Sequence, residues 1–526
     1  VTLAGPRSRR PGGTNEVRPG RSASPSPALL GLSALVAGIA LLPLVYLLIL
    51  AFQDGWQDAA GELFRETTLR LVMNSLGLAA ATTVGGLVIG VGLAWLIART
   101  RLPGRRMWAL VATLPLAIPS YVAAFVWISA FPWLNGFDGS VIVLTLSTYP
   151  YIFLPVLAAL GRADRDQEEV ARSLGKGPVA TFFQVTARQV QPAAAAGALL
   201  AALYVLSDFG SVSIMRYDTF TRIIFARANL DHVSAALLSC VLIAITVLIL
   251  WGEARSRGRA RFSRVGAGAT RARQQGRLGV WTFPAVLACA AVAGLAVVLP
   301  LVSIGYWLVR GSSAGLDGPM LLEASLTTLA VSAAGAALAT VLALPVGVLA
   351  ARNPGPVPQL LERITWLGYS LPGIVVALSL VYFAVHYAYP LYQESPLLVF
   401  AYALLFLPAA VGAVRSAVAQ SPPGLEEVAR SLGSPPPRVF ARVTLPLATP
   451  GIAAGAALVF LTCMKELPAT LLLRPTGMET MATRLWTHTA SGAYGAAAPY
   501  AALLVVLAAV PAFLLGRKAN GLEGDR

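Results

Sequence analysis

The sequence predicts an all-α, polytopic membrane protein: about 12 transmembrane helices in two parallel six-helix repeats. Three observations carry that expectation. The chain is 56% hydrophobic and only 12% charged, with a mean hydropathy of +0.70, where a soluble domain carries about 25% charged residues. Apolar runs of about 20 residues, the length a helix needs to cross a bilayer, recur along all 526 residues. Finally, one octet is written twice. Glu168-Glu169-Val170-Ala171-Arg172-Ser173-Leu174-Gly175 reappears as Glu426-Glu427-Val428-Ala429-Arg430-Ser431-Leu432-Gly433, 258 residues later, and Phe182 then falls on Phe440, Pro192 on Pro450 and Arg216 on Arg474. A repeat of this length means two halves with one plan.

Taken in order, residues 1–27 form a basic tail whose Pro, Ser, Gly and Arg content predicts disorder. The apolar run 28–52 is too long for the hydrophobic region of a cleaved signal and reads as a retained first span. Spans at 72–97, 108–131, 139–161, 191–213 and 233–252 complete a first half, 28–252. An Arg-rich linker, 253–280, reads either as a solvated connection beside anionic lipid or as a docking surface. The second half, 281–516, repeats the plan with spans near 281–309, 325–351, 362–388, 396–419, 450–473 and 497–516, ahead of a tail at 517–526.

Arginine sets the orientation. The N-terminal tail, the loop with Arg99, Arg101, Arg105 and Arg106, the linker, and Arg517 with Lys518 all fall on one side. The opposite side holds Asp54, Asp58, Glu62 and Glu66. Both termini and both octets are therefore expected in the cytoplasm. The net charge of +16 follows this rule and does not point to nucleic acid. Cys240, Cys289 and Cys463 lie singly in apolar runs, and His232, His386 and His488 are scattered. No disulfide framework, metal site or cofactor is expected.

Six spans per half give the halves parallel topology about a pseudo-two-fold axis along the membrane normal. Pro119 matches Pro372, and Pro155 matches Pro408, at an offset of 253. The second half therefore has five extra residues before its octet, within 419–424. Prolines inside the spans predict kinks, serving packing or acting as hinges.

Each octet opens a polar loop, 164–190 in the first half and 421–448 in the second. Acids in a first turn, a glycine break and a second short helix, closed in the second copy by Pro446, make a compact knob. Its apolar face, Val170, Ala171 and Leu174, calls for a partner socket. Two knobs call for two sockets, hence a dimeric partner.

The pattern Glu-x-Ala-x-x-x-Gly, followed by a hydrophobic residue, x, Leu and Pro, resembles the EAA loop of ABC importer permeases. The resemblance implies the type I permease fold in a bacterial inner membrane, and docking of Glu169, Ala171, Gly175, Glu427, Ala429 and Gly433 into a cytoplasmic ABC ATPase dimer. Leu445-Pro446 completes the pattern in the second copy, while Ala187-Arg188 stands there in the first. No GxxxxGK[ST] phosphate loop occurs, so ATP hydrolysis is assigned to a separate subunit and this chain is not an enzyme. An extracytoplasmic substrate-binding protein is the other implied partner, and Arg216, Arg222, Arg474 and Arg484 either face it or anchor at the interface.

Downstream of the octets, Ser207-Asp208-Phe209-Gly210 aligns with Lys465-Glu466-Leu467-Pro468. Two fused halves with these motifs look like the ferric-iron importers; similar fused permeases carry thiamine or phosphonate-type solutes. Independently of that resemblance, Asp208 and Glu466 are ionisable groups set symmetrically in apolar spans, and such groups usually face a wet interior. Two hard oxygen ligands suit a hard cation. Equally, Asp208 could bond a helix end, and Glu466 could pair with another span or with Lys465, the only lysine inside a span, which would also suit an anion. An ion-coupled secondary transporter is the remaining class.

Overall fold

Inside lipid every backbone N–H and C=O has to find its partner within a helix or a closed barrel. This chain uses helices throughout: among the described residues there is no strand, only an isolated bridge between Thr100 and Gly276. The computed structural model describes residues 26–162, 166–228, 230–256, 276, 278–311 and 317–519. The basic tail up to residue 25, the start of the first knob loop (163–165), most of the Arg-rich linker (257–275 and 277) and residues 520–526 lie outside the described residues.

The first half runs α1 (Pro27–Ala51), α2 (Trp56–Leu63), α3 (Glu66–Arg99), α4 (Arg105–Val111), α5 (Ser120–Ala130) and α6 (Gly136–Arg162). The knob follows as α7 (Asp166–Ser173) and α8 (Pro178–Thr181), then a π turn at Phe182–Thr186 and α9 (Ala187–Ser207). α10 (Gly210–Ile214), α11 (Phe220–Arg227) and α12 (His232–Ser256) close the half. The second half opens with α13 (Thr282–Ala293) and α14 (Leu299–Arg310), joined by a π turn at Gly294–Val298. It then repeats the order as α15 (Gly318–Arg352), α16 (Pro356–Trp366), α17 (Gly373–Tyr387), α18 (Ser395–Gln420), α19 (Pro423–Ser431) and α20 (Pro436–Val439). A π turn at Phe440–Thr444 leads to α21 (Leu445–Met464), α22 (Pro468–Leu473), α23 (Met481–Ala490) and α24 (Tyr494–Ala519).

Among the described residues nine helices are long and apolar enough to cross a bilayer, and the bent pair α4–α5 makes a tenth. The other two expected spans are held by shorter apolar helices, α17 and the Tyr494–Ala509 part of α24. Leu35, Val88, Leu248 and Leu322, all exposed by more than half, mark the lipid-facing sides.

Four spans differ from the sequence expectation: the third and its counterpart the ninth, which breaks at Leu371 before α17, and the fifth and eleventh. The third, expected as one proline-kinked span over 108–131, turns as sharply as 94° between Ala117 and Ser120. Ile118 precedes Pro119 and is driven to an extended ψ of 116°, and Leu371 before Pro372 takes a ψ of 114° in the second half. The fifth and eleventh spans stop at Ser207 and Met464, short of the expected 213 and 473, because the chain breaks at Asp208 and Lys465 before a new short helix begins. The knob's second helix is not closed by Pro446 either. It continues through the π turn into α21 as one helix, Pro436–Met464, with Pro446 just past the π turn.

Small residues set the close packing. A Cβ on Gly197 would lie 2.7 Å from the Ile152 Cα, and one on Gly455, its counterpart, 2.3 Å from the Ala413 Cβ. The halves also trade their first helices. α1 packs on α12 of its own half and on α15, α16 and α17 of the other, while α14 packs on α24 and reaches across to α5.

Candidate functional site

Two constructions occur once per half: the knob at the end of α9 or α21 where the polar loop lies, and the break at the other end of the same helix. In each knob the first glutamate of the octet is buried and the second is exposed. Glu168 pairs with Arg99 at 2.9 Å and accepts the Thr186 hydroxyl at 3.0 Å. Glu426 pairs with Arg352 at 2.6 Å and accepts the Thr444 hydroxyl at 2.9 Å. The knob is thus bolted to the end of α3 or α15 and to the π turn beneath it. Glu169 and Glu427 are left exposed, beside Val170, Leu174, Val428 and Leu432, each exposed by more than half. Ala171 is turned inward and Ala429 is half-buried.

Gly175 and Gly433 sit at φ of +80° and +84°, and nothing lies within 4 Å of where a Cβ would be. These glycines are required by the left-handed turn, not by crowding. The next residue closes the motif by bonding back to an alanine: Lys176 N–H to the Ala171 carbonyl and Ser434 N–H to that of Ala429, both at 3.1 Å. The π turns stand at matched positions with and without the Leu-Pro pair, so Ala187-Arg188 leaves the exit geometry of the first knob unchanged.

The anchoring residues Arg99, Glu168, Arg352 and Glu426 escaped the sequence reading. In the sequence Arg99 belongs to the basic loop, and its partner lies beyond α6. The signal that could have found them is the match of both arginines and both glutamates across the halves.

At the far ends of α9 and α21, the two breaks meet between the halves. A Cβ on Gly210 would touch the Tyr121 Cβ at 2.7 Å and Leu467 at 3.3 Å. Phe209 and Phe225 pack against Trp486 of the second half, with ring centroids 6.3 and 5.9 Å away. The seam is closed here.

Asp208 is buried and fully used. Its Oδ1 accepts the N–H and hydroxyl of Ser211 (3.0 and 2.5 Å) and the N–H of Val212 (3.3 Å), while Oδ2 accepts the Ser120 hydroxyl. This carboxylate caps α10, the helix-end role. Glu466 also caps: Oε1 accepts the Ala469 N–H at 3.0 Å, at the start of α22. Lys465 does not turn to Glu466; its Nζ donates across the seam to the Leu116 carbonyl at 2.9 Å. Where Ser120 serves Asp208, the matched residue is Gly373, whose Cβ would stand 2.6 Å from Glu466 Oε1. The longer acid is paired with the smaller neighbour.

Among the outer-loop arginines, Arg474 and Arg484 share Glu479 and Arg222 pairs with Asp218. Arg216 holds a φ of 58° at the turn after α10.

Two matched helical halves, each with a bolted knob, meet at a closed central seam in the manner of a membrane permease. The family model for the binding-protein-dependent transport system inner membrane component matches this chain twice, at residues 86–255 and 343–517, and the chain belongs to that family. It is 38% identical over 507 residues to the Fe(3+)-transport system permease protein FbpB 2 of Haemophilus influenzae, covering 94% of this chain and 99% of that one. The sulfate transport system permease protein CysT of Escherichia coli is 26% identical over 42% of this chain and 88% of its own. The molybdate/tungstate transport system permease protein WtpB of Pyrococcus furiosus is 25% identical over 44% and 96%. These relatives align with less than half of the chain, as expected of single-half permeases set beside a fused one.

Proposed function

We propose that this chain is the fused permease subunit of an ABC importer that carries ferric iron handed over by a solute-binding protein. The observation that carries the substrate is the likeness to a ferric-iron permease over nearly the full length of both chains. Both halves, 28–252 and 281–516, act as one transmembrane unit, with termini, linker and knobs in the cytoplasm. Glu169, Ala171, Gly175, Glu427, Ala429 and Gly433 shape the surfaces that dock on an ATPase dimer formed by another polypeptide. ATP-driven closure of that dimer brings the knobs together and turns the seam outward; hydrolysis resets it. Asp208, Lys465 and Glu466 lie on the pathway, where the halves part.

Lys465 and the sulfate and molybdate relatives favour a second reading, an oxyanion as cargo. The test is reconstitution in liposomes with the ATPase and binding protein. ATP-dependent uptake of radioactive ferric iron that also needs the binding protein is expected, and it should vanish in Gly433→Asp while the chain still inserts. Stimulated ATPase with sulfate or molybdate uptake and none of iron would replace the substrate. Normal transport by Gly433→Asp would remove the docking assignment.

A further inference from the structure

On the side opposite the knobs, the two halves are matched in sequence but built differently. In the first half the chain after α10 is packed shut against the start of α6. The Met215 carbonyl accepts the Gly136 N–H at 2.6 Å, a Cβ on Gly139 would stand 3.0 Å from the Met215 Sδ, and the Tyr217 ring lies 5.5 Å from that of Phe137. In the second half Pro475 stands where the first has Tyr217, so the ring that fills the first corner is missing. There the chain after α22 and the chain ahead of α18 part around an open hollow of about 320 Å³, with Tyr392 and Gln393 on one side and Arg474, Thr476 and Gly477 on the other. Its walls are braced. The Thr476 hydroxyl donates to Gln393 Oε1 at 3.2 Å, and Arg474 donates to the Met478 carbonyl at 3.1 Å while pairing with Glu479. Gly477 and Gln393 both hold left-handed backbone, at φ of 85° and 59°. Glycine does so freely, but a glutamine there is uncommon and strained, and such strain gathers at ligand clamps and switch regions.

We propose that this hollow is the seat for a loop of the solute-binding protein. The inference rests on the reading of this chain as a permease fed by such a protein. The chemistry of the hollow selects the occupant. Polar groups make up most of its lining, which disfavours an acyl chain. The charged group in the lining, Arg474, is already held by Glu479, which disfavours a free ion. A polypeptide loop that exchanges hydrogen bonds with the Gln393 amide and the Thr476 hydroxyl fits both conditions. Position adds a second argument. The hollow lies at the start of α18 and the knob beyond its end, so a partner on the side opposite the ATPase can reach it. Leu471 and Leu472 of α22 form its floor. The other end of α22, about 9 Å away for a helix of its length, is capped by Glu466 at the seam, and Thr470 within it bonds the Tyr402 hydroxyl at 2.6 Å. A loop seated in the hollow therefore presses on the helix that starts at the seam. With a seat at one outer corner and a filled surface at the other, the binding protein docks in one orientation.

The experiment places the complete transporter in nanodiscs and measures its affinity for the iron-loaded binding protein. Thr476→Trp sets an indole into the hollow from an exposed position. It is expected to raise the Kd at least ten-fold, with the melting temperature and the ATP hydrolysis seen without binding protein unchanged. Gln57→Trp, at an exposed position of α2 on the same side of the membrane, should leave the Kd as in the unaltered chain. In a second measurement Thr476→Cys, in a chain whose Cys240, Cys289 and Cys463 are replaced, carries a photoactivatable group. It should crosslink to the binding protein, and the same group on Gln57→Cys should not. Undiminished affinity in Thr476→Trp, or an equal loss in Gln57→Trp, overturns the seat and leaves the partner reading standing. An unaltered transporter that does not bind the loaded protein overturns both. Should Thr476→Trp melt well below the unaltered chain, the crosslink decides: with the binding protein held at normal affinity, products with lipid or with this chain alone overturn the proposal.

Discussion

A single methylene separates Asp208 from Glu466, and the neighbour across from each is adjusted to it. Ser120 donates to the shorter acid and Gly373 makes room for the longer. Asp208→Glu should therefore overfill a buried site and cost about 1–3 kcal/mol. Adding Ser120→Gly should return more than half of that loss, because it copies the arrangement already present in the second half. Melting curves of the purified chain in detergent check this; a double variant less stable than Asp208→Glu alone would dismiss the size compensation. The sequence made both acids visible, since ionisable residues are rare in apolar spans. It could not separate their roles. Capping by Asp208 depends on where the helix breaks, and the break is set by tertiary packing around Phe209 and Tyr121. The idea of a Lys465–Glu466 pair failed for the same reason. Neighbours in sequence point apart at a helix end, and the Leu116 carbonyl, brought close by the Pro119 bend, is the acceptor within reach.

Each knob is an element held at three points: an arginine at the end of α3 or α15, the buried glutamate, and the threonine of the π turn. The glycine turn and the exposed apolar face were legible, because each rests on local residue types at fixed spacing. The bolt was not, since Arg99 matches Arg352 at an offset of 253 and Glu168 matches Glu426 at 258. A reading that follows one offset misses the pairing. The Arg352 and Glu426 side chains are 17% and 9% exposed. Removing Glu426 leaves the Arg352 charge largely buried without its carboxylate, at a cost of about 3 kcal/mol, while removing Arg352 leaves Glu426 only the longer ion pair to Arg430, at 3.4 Å. Arg352→Ala and Glu426→Ala should each raise hydrogen exchange in α19 and weaken coupling of ATP hydrolysis to uptake. The double variant should be little worse than either single one, as expected for one shared interaction. Strictly additive effects would show that the two residues act independently. π turns stand at matched places between each knob and the long helix that follows it, and such turns often accompany functional sites.

At the scale of the molecule, the exchange of first helices ties the halves together, and shared buried clusters join them across the seam. α1 lies along α15, α16 and α17, and α14 reaches α5. Tyr382 of α17 donates to the Ala228 carbonyl of the first half at 2.7 Å. None of this exchange is written in hydropathy, which locates spans without saying which neighbours they take. Halves interlocked by exchanged helices favour rocking against one another over separation. The seam should then be the place where access alternates. Ser207 reports on it: the residue is half-buried, matches Lys465 in the repeat, and bonds only locally to the Tyr204 carbonyl at 2.9 Å. Ser207→Cys, in a chain whose Cys240, Cys289 and Cys463 are replaced by serine or alanine, should fold at a cost of about 1 kcal/mol for that bond. In the assembled transporter a membrane-impermeant thiol reagent applied from the side opposite the knobs should label it when ATP and the binding protein are present. From the knob side it should label without nucleotide. Labelling from one side in both states would mean that the seam does not alternate, and would place the moving contact elsewhere in the bundle.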